Sequence, residues 1–239
     1  MTPLRCSTPP AHDLHQDARP IGGRRGRRTR CRRRVGHSIG PAQATTATVS
    51  PGDEIRAVGA ASVVRCTLGY TYTDPVTGTA YGVTAGHCNE GHSSYVEDRT
   101  TGAIGHFVLT AANPNDPLDD DYGLIDFGAH TATPTMYGMP VVGMASINTR
   151  NAICHDGIRT GIACGQLGDR LIGPQYLTTG MPDSIPGDSG GPVWQVSATG
   201  AVIVGIWLGE HIDSGGTHYG RFISLADIAD QIGKTHFVV

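Results

Sequence analysis

Six residues, Gly187-Asp188-Ser189-Gly190-Gly191-Pro192, constrain this chain more than any other feature. They set a hydroxyl in a glycine-rich turn, where backbone can pass close to a ligand. A serine hydroxyl is a poor nucleophile until a base takes its proton. The turn therefore acquires chemical meaning only beside a histidine and a carboxylate, and both occur upstream in distinctive settings. Thr84-Ala85-Gly86-His87-Cys88 offers the base, and Asp121, leading Tyr122-Gly123-Leu124-Ile125, offers the carboxylate. Asp119 and Asp120 adjoin it and are alternatives, but Asp121 directly precedes the strand-like run Tyr122 to Phe127. His92, His106, His130, His211, His218 and His236 lack any comparable setting and receive no role.

At 239 residues the chain has room for one large or two small domains. Short β-branched runs such as Ala60 to Thr67, Ala103 to Leu109 and Ala201 to Leu208 are separated by Gly, Asn, Asp and Pro. That pattern predicts an all-β barrel or sandwich. One stretch follows a helical period instead: Leu225, Ile228, Ala229 and Ile232, between Ser224 and Gly233.

Charge divides the chain. Residues 1–40 hold ten Arg against Asp13 and Asp17, a net of +8, whereas residues 41–239 hold eight basic and nineteen acidic groups, a net of −11. An acidic body disfavours nucleic acid as its partner. Residues 1–44 form an Arg-rich leader with eight Arg between Arg24 and Arg34 and almost nothing apolar. Such a segment cannot bury a core and is expected to be disordered. Two readings stand: an arm that binds RNA or another anionic surface, or a signal region read from a wrong frame or start. The small-residue run Pro41-Ala42-Gln43-Ala44 resembles the end of a signal peptide and favours the second. No later segment is long and apolar enough to span a membrane. The body carries Cys66, Cys88, Cys154 and Cys164. An even number suits an oxidising compartment, and C-x-x-C spacing is absent, so no metal or cofactor is expected.

The three motifs, in the order His, Asp, Ser, resemble the chymotrypsin-fold serine proteases, most of all the compact bacterial branch of streptogrisins, α-lytic proteases and small secreted actinobacterial relatives. The order differs from that of subtilisins and α/β-hydrolases. The resemblance spans about residue 55 to the C-terminus. It implies two packed six-stranded antiparallel β-barrels, about 55–145 and 146–239 within a protease domain 45–239, closed by a C-terminal helix. It implies the disulfides Cys66–Cys88 and Cys154–Cys164.

Site roles follow from the same likeness. Ser189 is the nucleophile, His87 the general base and acid, Asp121 the group that orients the imidazole, and the N–H groups of Gly187 and Ser189 form the oxyanion hole. In the family the residue before the serine is buried in an ion pair. Bacterial relatives supply its Arg directly after the first Cys of the second disulfide loop, and this chain has His155 there, so either His155 or Arg159 pairs with Asp188. Asp183, six residues before the nucleophile, stands where trypsins place the S1 aspartate; the competing reading is a turn aspartate after Pro182. Along the pocket strand Gly205-Ile206-Trp207-Leu208-Gly209-Glu210, Leu208 replaces a Ser that bonds the triad carboxylate, and Trp207 or Glu210 crowds the cleft. Substrate-binding residues are therefore expected at Asp183, Leu208 and Gly209.

These readings converge on a secreted or cell-envelope serine endopeptidase. It works as a monomer on peptide or protein substrates through an acyl-enzyme, with Arg or Lys at P1. The alternative is a protease-fold binding protein with little turnover.

Overall fold

The structure, a computed structural model, describes residues 46–116 and 118–231. The Arg-rich leader and Ile232 of the helical pattern lie outside the described residues. Those described fall in one compact unit, Ala44–Val239.

The first half of the unit opens with β1 (Thr48–Val49), β2 (Glu54–Val58), β3 (Val63–Thr67), β4 (Tyr70–Thr73) and β5 (Ala80–Thr84). It continues with β6 (Tyr95–Asp98), β7 (Ile104–Ala112), β8 (Asp121–Asp126) and β9 (Thr131–Ala132). Seven of these form a curled sheet in the order β3-β2-β6-β7-β8-β5-β4, and β1 pairs in parallel with β9. The edge strands β3 and β4 are consecutive runs of chain interrupted only at Leu68-Gly69, so this sheet curls into a half-barrel rather than a ring closed by ladder bonds. Strand β2 shows how sequence sets the faces: Ile55 and Ala57 are buried, while Glu54 and Arg56 alternate outward. On that outer face Glu54 holds both Arg56 and Arg65 at 3.1 Å.

The second half holds β10 (Thr135–Met136), β11 (Met139–Met144), β12 (Ile153–Gly157), β13 (Gly161–Ile172), β14 (Gln175–Thr179), β15 (Pro192–Val196), β16 (Ala201–Ile212) and β17 (His218–Ser224). Their order is β10-β11-β16-β15-β12-β13-β14-β17, and a further β16–β17 pairing closes six of them into a barrel. Strand β11 joins β16 in parallel, the one departure from antiparallel pairing in this sheet. The helical pattern is realised as α1 (Leu225–Gln231), which buries Leu225, Ile228 and Ala229. The Ser224 hydroxyl caps it by accepting the Asp227 N–H at 3.3 Å.

Cys66 is bonded to Cys88, and Cys154 to Cys164 directly across β12 and β13. The first closes a 22-residue separation; in the chain-entropy picture a loop of that size stabilises by about 3 kcal/mol. It also ties β3 to the turn that carries His87. Among the described residues no helix is long and apolar enough to cross a membrane.

Candidate active site

Strand β5 ends at Thr84, and a short 3₁₀ turn, Gly86–Asn89, projects the His87 ring. Gly86 is required there: a Cβ would meet the Tyr122 backbone at 2.8 and 2.9 Å and run into the Ala111 carbonyl. Asp121 opens β8 beside it. Its Oδ1 accepts the His87 backbone N–H at 2.9 Å, and its Oδ2 lies 2.7 Å from the ring Nδ1. Burial pushes the Asp121 carboxyl up, but the His87 hydrogen bond and charge, the His87 N–H and the Arg221 charge outweigh it and hold the group below the usual carboxylate range. Asp119 and Asp120 point elsewhere: Asp119 Oδ2 accepts from Asn113 at 3.3 Å, and Asp120 Oδ1 from Gln231 at 3.0 Å.

Ser189 and His87 line one pocket of about 320 Å³, together with Ser184, Gly187, Gly209 and Glu210. The Ser189 hydroxyl makes no hydrogen bond to the ring, a contact that often tightens only when substrate is bound. The turn itself is held firmly. Thr67 donates its N–H to the Ser189 carbonyl and its hydroxyl to the Gly187 carbonyl, both at 2.8 Å. Gly187 has a φ of +116°, which side chains disfavour. The N–H groups of Asp188, Gly190 and Gly191 all donate to carbonyls. Among the described residues those of Gly187 and Ser189 donate to none, and both residues line the pocket.

Asp188 does not form the expected ion pair. It is fully buried, and its Oδ1 accepts the Arg159 and Thr160 N–H groups at 2.9 and 3.1 Å while Oδ2 accepts that of Ile185 at 3.0 Å. Gly157 makes the room, since a Cβ there would overlap the Asp188 carboxyl. His155 is equally buried, and both its ring nitrogens lack a hydrogen-bond partner. Burial lowers its pKa to about 4 even though the Asp188 charge works the other way, so the ring is neutral near pH 7. Three backbone dipoles already answer the Asp188 charge, and charging an imidazole in this dry place costs more than the remaining attraction returns. Arg159 contributes its backbone, not its guanidinium. Asp156 shares the region; its carboxyl is pushed up, chiefly by burial, and accepts the Tyr137 hydroxyl at 2.7 Å.

The residues expected to bind substrate fall in different places. Asp183 is exposed and stays off the pocket wall; Glu210 supplies the carboxylate there. Gly209 lines that pocket, and Ser184 does so while accepting the Trp207 Nε1–H at 3.1 Å. Trp207 does not crowd the cleft, because its ring is buried against His155. Leu208 is buried beside Asp121, where it lines a separate cavity of about 470 Å³ with His87 and Arg221. The nearby cation is Arg221, which donates to Gln175 at 3.2 Å; Gln175 in turn donates to the Asp119 carbonyl at 2.7 Å. No motif announces Arg221 or Gln175.

Comparison with known proteins supports the fold. No family model matches the chain. The uncharacterized protein Rv1815 of Mycobacterium tuberculosis is 34% identical over 187 residues, covering 72% of this chain and 79% of the relative. Among solved structures, Thermobifida fusca protease A superposes with a TM-score of 0.58 at 21% identity over 78% of this chain and 97% of its own. Nocardiopsis protease gives 0.58 at 21% identity, over 77% of this chain and 96% of its own. A glutamic-acid-specific serine protease described as using a histidine triad in substrate binding gives 0.59 at 23% identity, over 77% of this chain and 98% of its own.

Proposed function

The chain belongs to the family of the mycobacterial protein Rv1815 and has the fold of the chymotrypsin-like bacterial serine proteases, and from that premise we propose that it is an exported serine endopeptidase. The observation that carries the reading is the pair of hydrogen bonds between His87 and Asp121, side chain at 2.7 Å and backbone at 2.9 Å, with Ser189 lining the same pocket as His87.

In the proposed reaction His87 takes the Ser189 proton as Oγ attacks the scissile carbonyl. The free N–H groups of Gly187 and Ser189 receive the developing oxyanion, and Asp121 stabilises the imidazolium. His87 then protonates the leaving amine, and water repeats the cycle on the acyl-enzyme. Glu210 on the pocket wall, with Asp183 outside it, favours Arg or Lys at P1. The two disulfides suit an oxidising compartment, which accords with export.

A second reading, a protease-fold binding protein, is favoured by one observation: Leu208 offers Asp121 no hydroxyl. Reaction of Ser189 with a phosphonofluoridate separates the two. Stoichiometric labelling of the wild type and none of Ser189→Ala upholds the endopeptidase; an unlabelled, folded wild type removes it.

A further inference from the structure

Glu210, His218 and Asp183 come together beside the specificity pocket from three separate parts of the chain. Glu210 lies in β16 and His218 opens β17; the register Ile212↔His218 and Glu210↔Gly220 makes them diagonal neighbours on one face of the sheet. Glu210 Oε1 stands 2.9 Å from His218 Nδ1. Asp183 arrives on the loop between β14 and β15, anchored next door by the bond from Trp207 to Ser184. One ligand-type atom from each of the three residues lies within 4.8 Å of the other two. Among the described residues neither carboxylate is paired with an arginine.

We propose that Asp183, Glu210 and His218 form a binding site for a divalent cation of the zinc class at the mouth of the specificity pocket. Two carboxylate oxygens and one imidazole nitrogen match the donors zinc accepts, and three protein ligands leave a fourth position open. The imidazole argues against calcium and magnesium, which prefer oxygen alone. Tetrahedral ligands at zinc bond lengths stand roughly 3.5 Å apart. Asp183 and His218 are exposed, so rotation of their side chains closes the small remaining gap. The imidazole gives up its bond to Glu210 and each ligand turns to the ion. Glu210, one of the three ligands, also lines the pocket that holds Ser189. Occupancy therefore withdraws the Glu210 charge from a substrate and places a cation where a P1 Arg or Lys would enter. This consequence rests on the endopeptidase reading; the binding itself does not.

Zn²⁺ alone, titrated calorimetrically into the full chain without substrate, tests the site. The expected result is a saturable event of one ion per chain, weakened at least about tenfold in each of His218→Ala, Glu210→Gln and Asp183→Asn, since loss of even an outer-shell partner commonly costs that much. Circular dichroism confirms that each variant is folded; a variant that misfolds is replaced by His218→Gln. Absence of saturable binding overturns the proposal, as does binding that the three substitutions leave unchanged, because the ion then sits on other residues. A chain that fails the phosphonofluoridate test yet binds Zn²⁺ through these residues upholds the site and removes only the protease reading. In an active chain, Zn²⁺ should inhibit cleavage after Arg competitively, and His218→Ala should relieve it.

Discussion

The His155 ring lies flat against Trp207, with centroids 4.0 Å apart and planes 9° from parallel. This stack sits beneath the Ser189 turn and keeps a titratable group dry. Because burial lowers the folded pKa of His155 to about 4 from 6.5, its contribution to stability is fully present above the unfolded value. It is lost as pH falls through the folded value. The protein should lose about 3 kcal/mol between pH 6.5 and 4 through this residue. His155→Phe keeps the stack and removes the titration. Urea unfolding from pH 8 to 4 should show the variant losing less stability than wild type; parallel curves would contradict the buried neutral ring.

Asp53 carries the opposite sign. Burial first, and then the Asp98 charge, raise its pKa from 3.8 to about 7. A raised folded pKa contributes stability that is complete below the unfolded value and disappears as pH climbs through the folded one. Asp53→Asn should therefore be more stable than wild type at pH 8, with the difference shrinking towards pH 4. The amide oxygen can still accept the Ser50 N–H that Asp53 holds at 2.7 Å. Melting temperatures that differ equally at both pH values would refute this assignment.

For the triad, Ser189→Ala and His87→Ala should each abolish nearly all peptide hydrolysis, a loss on the order of 10⁶ in kcat, and the double variant should be little worse. Residues that act as a unit are not additive. Hydrolysis retained by Ser189→Ala in single-turnover assays would remove the mechanism.

In the pocket, Glu210→Gln should lower kcat/KM for Arg at P1 by about 10- to 100-fold, the worth of a hydrogen bond to a charged group. Asp183→Asn, at an exposed position, should cost less than about fivefold, as exposed ion pairs do. Profiling on a P1 library in metal-free buffer measures both. A larger effect at Asp183 would reverse their roles.

Much of this protein is legible without coordinates because its signals are local. The settings of His87, Asp121 and Ser189 are short and dense, and Asp121 alone of three adjacent aspartates reaches the imidazole, as its position before the strand implied. Period-two alternation in β2 and the 3.6-residue spacing of Leu225, Ile228 and Ala229 encode faces directly. What the tertiary structure alone decided depends on neighbours far apart in sequence. Asp188 finds backbone N–H groups 28 and 29 residues away rather than a cation, and His155 stays neutral because a tryptophan 52 positions later excludes water from it. Arg221 reaches the Asp121 field from the last strand, and Glu210 takes the pocket wall while Asp183 stays off it, beside Glu210 and His218. Desolvation and through-space charge belong to packing, and no spacing along the chain encodes them.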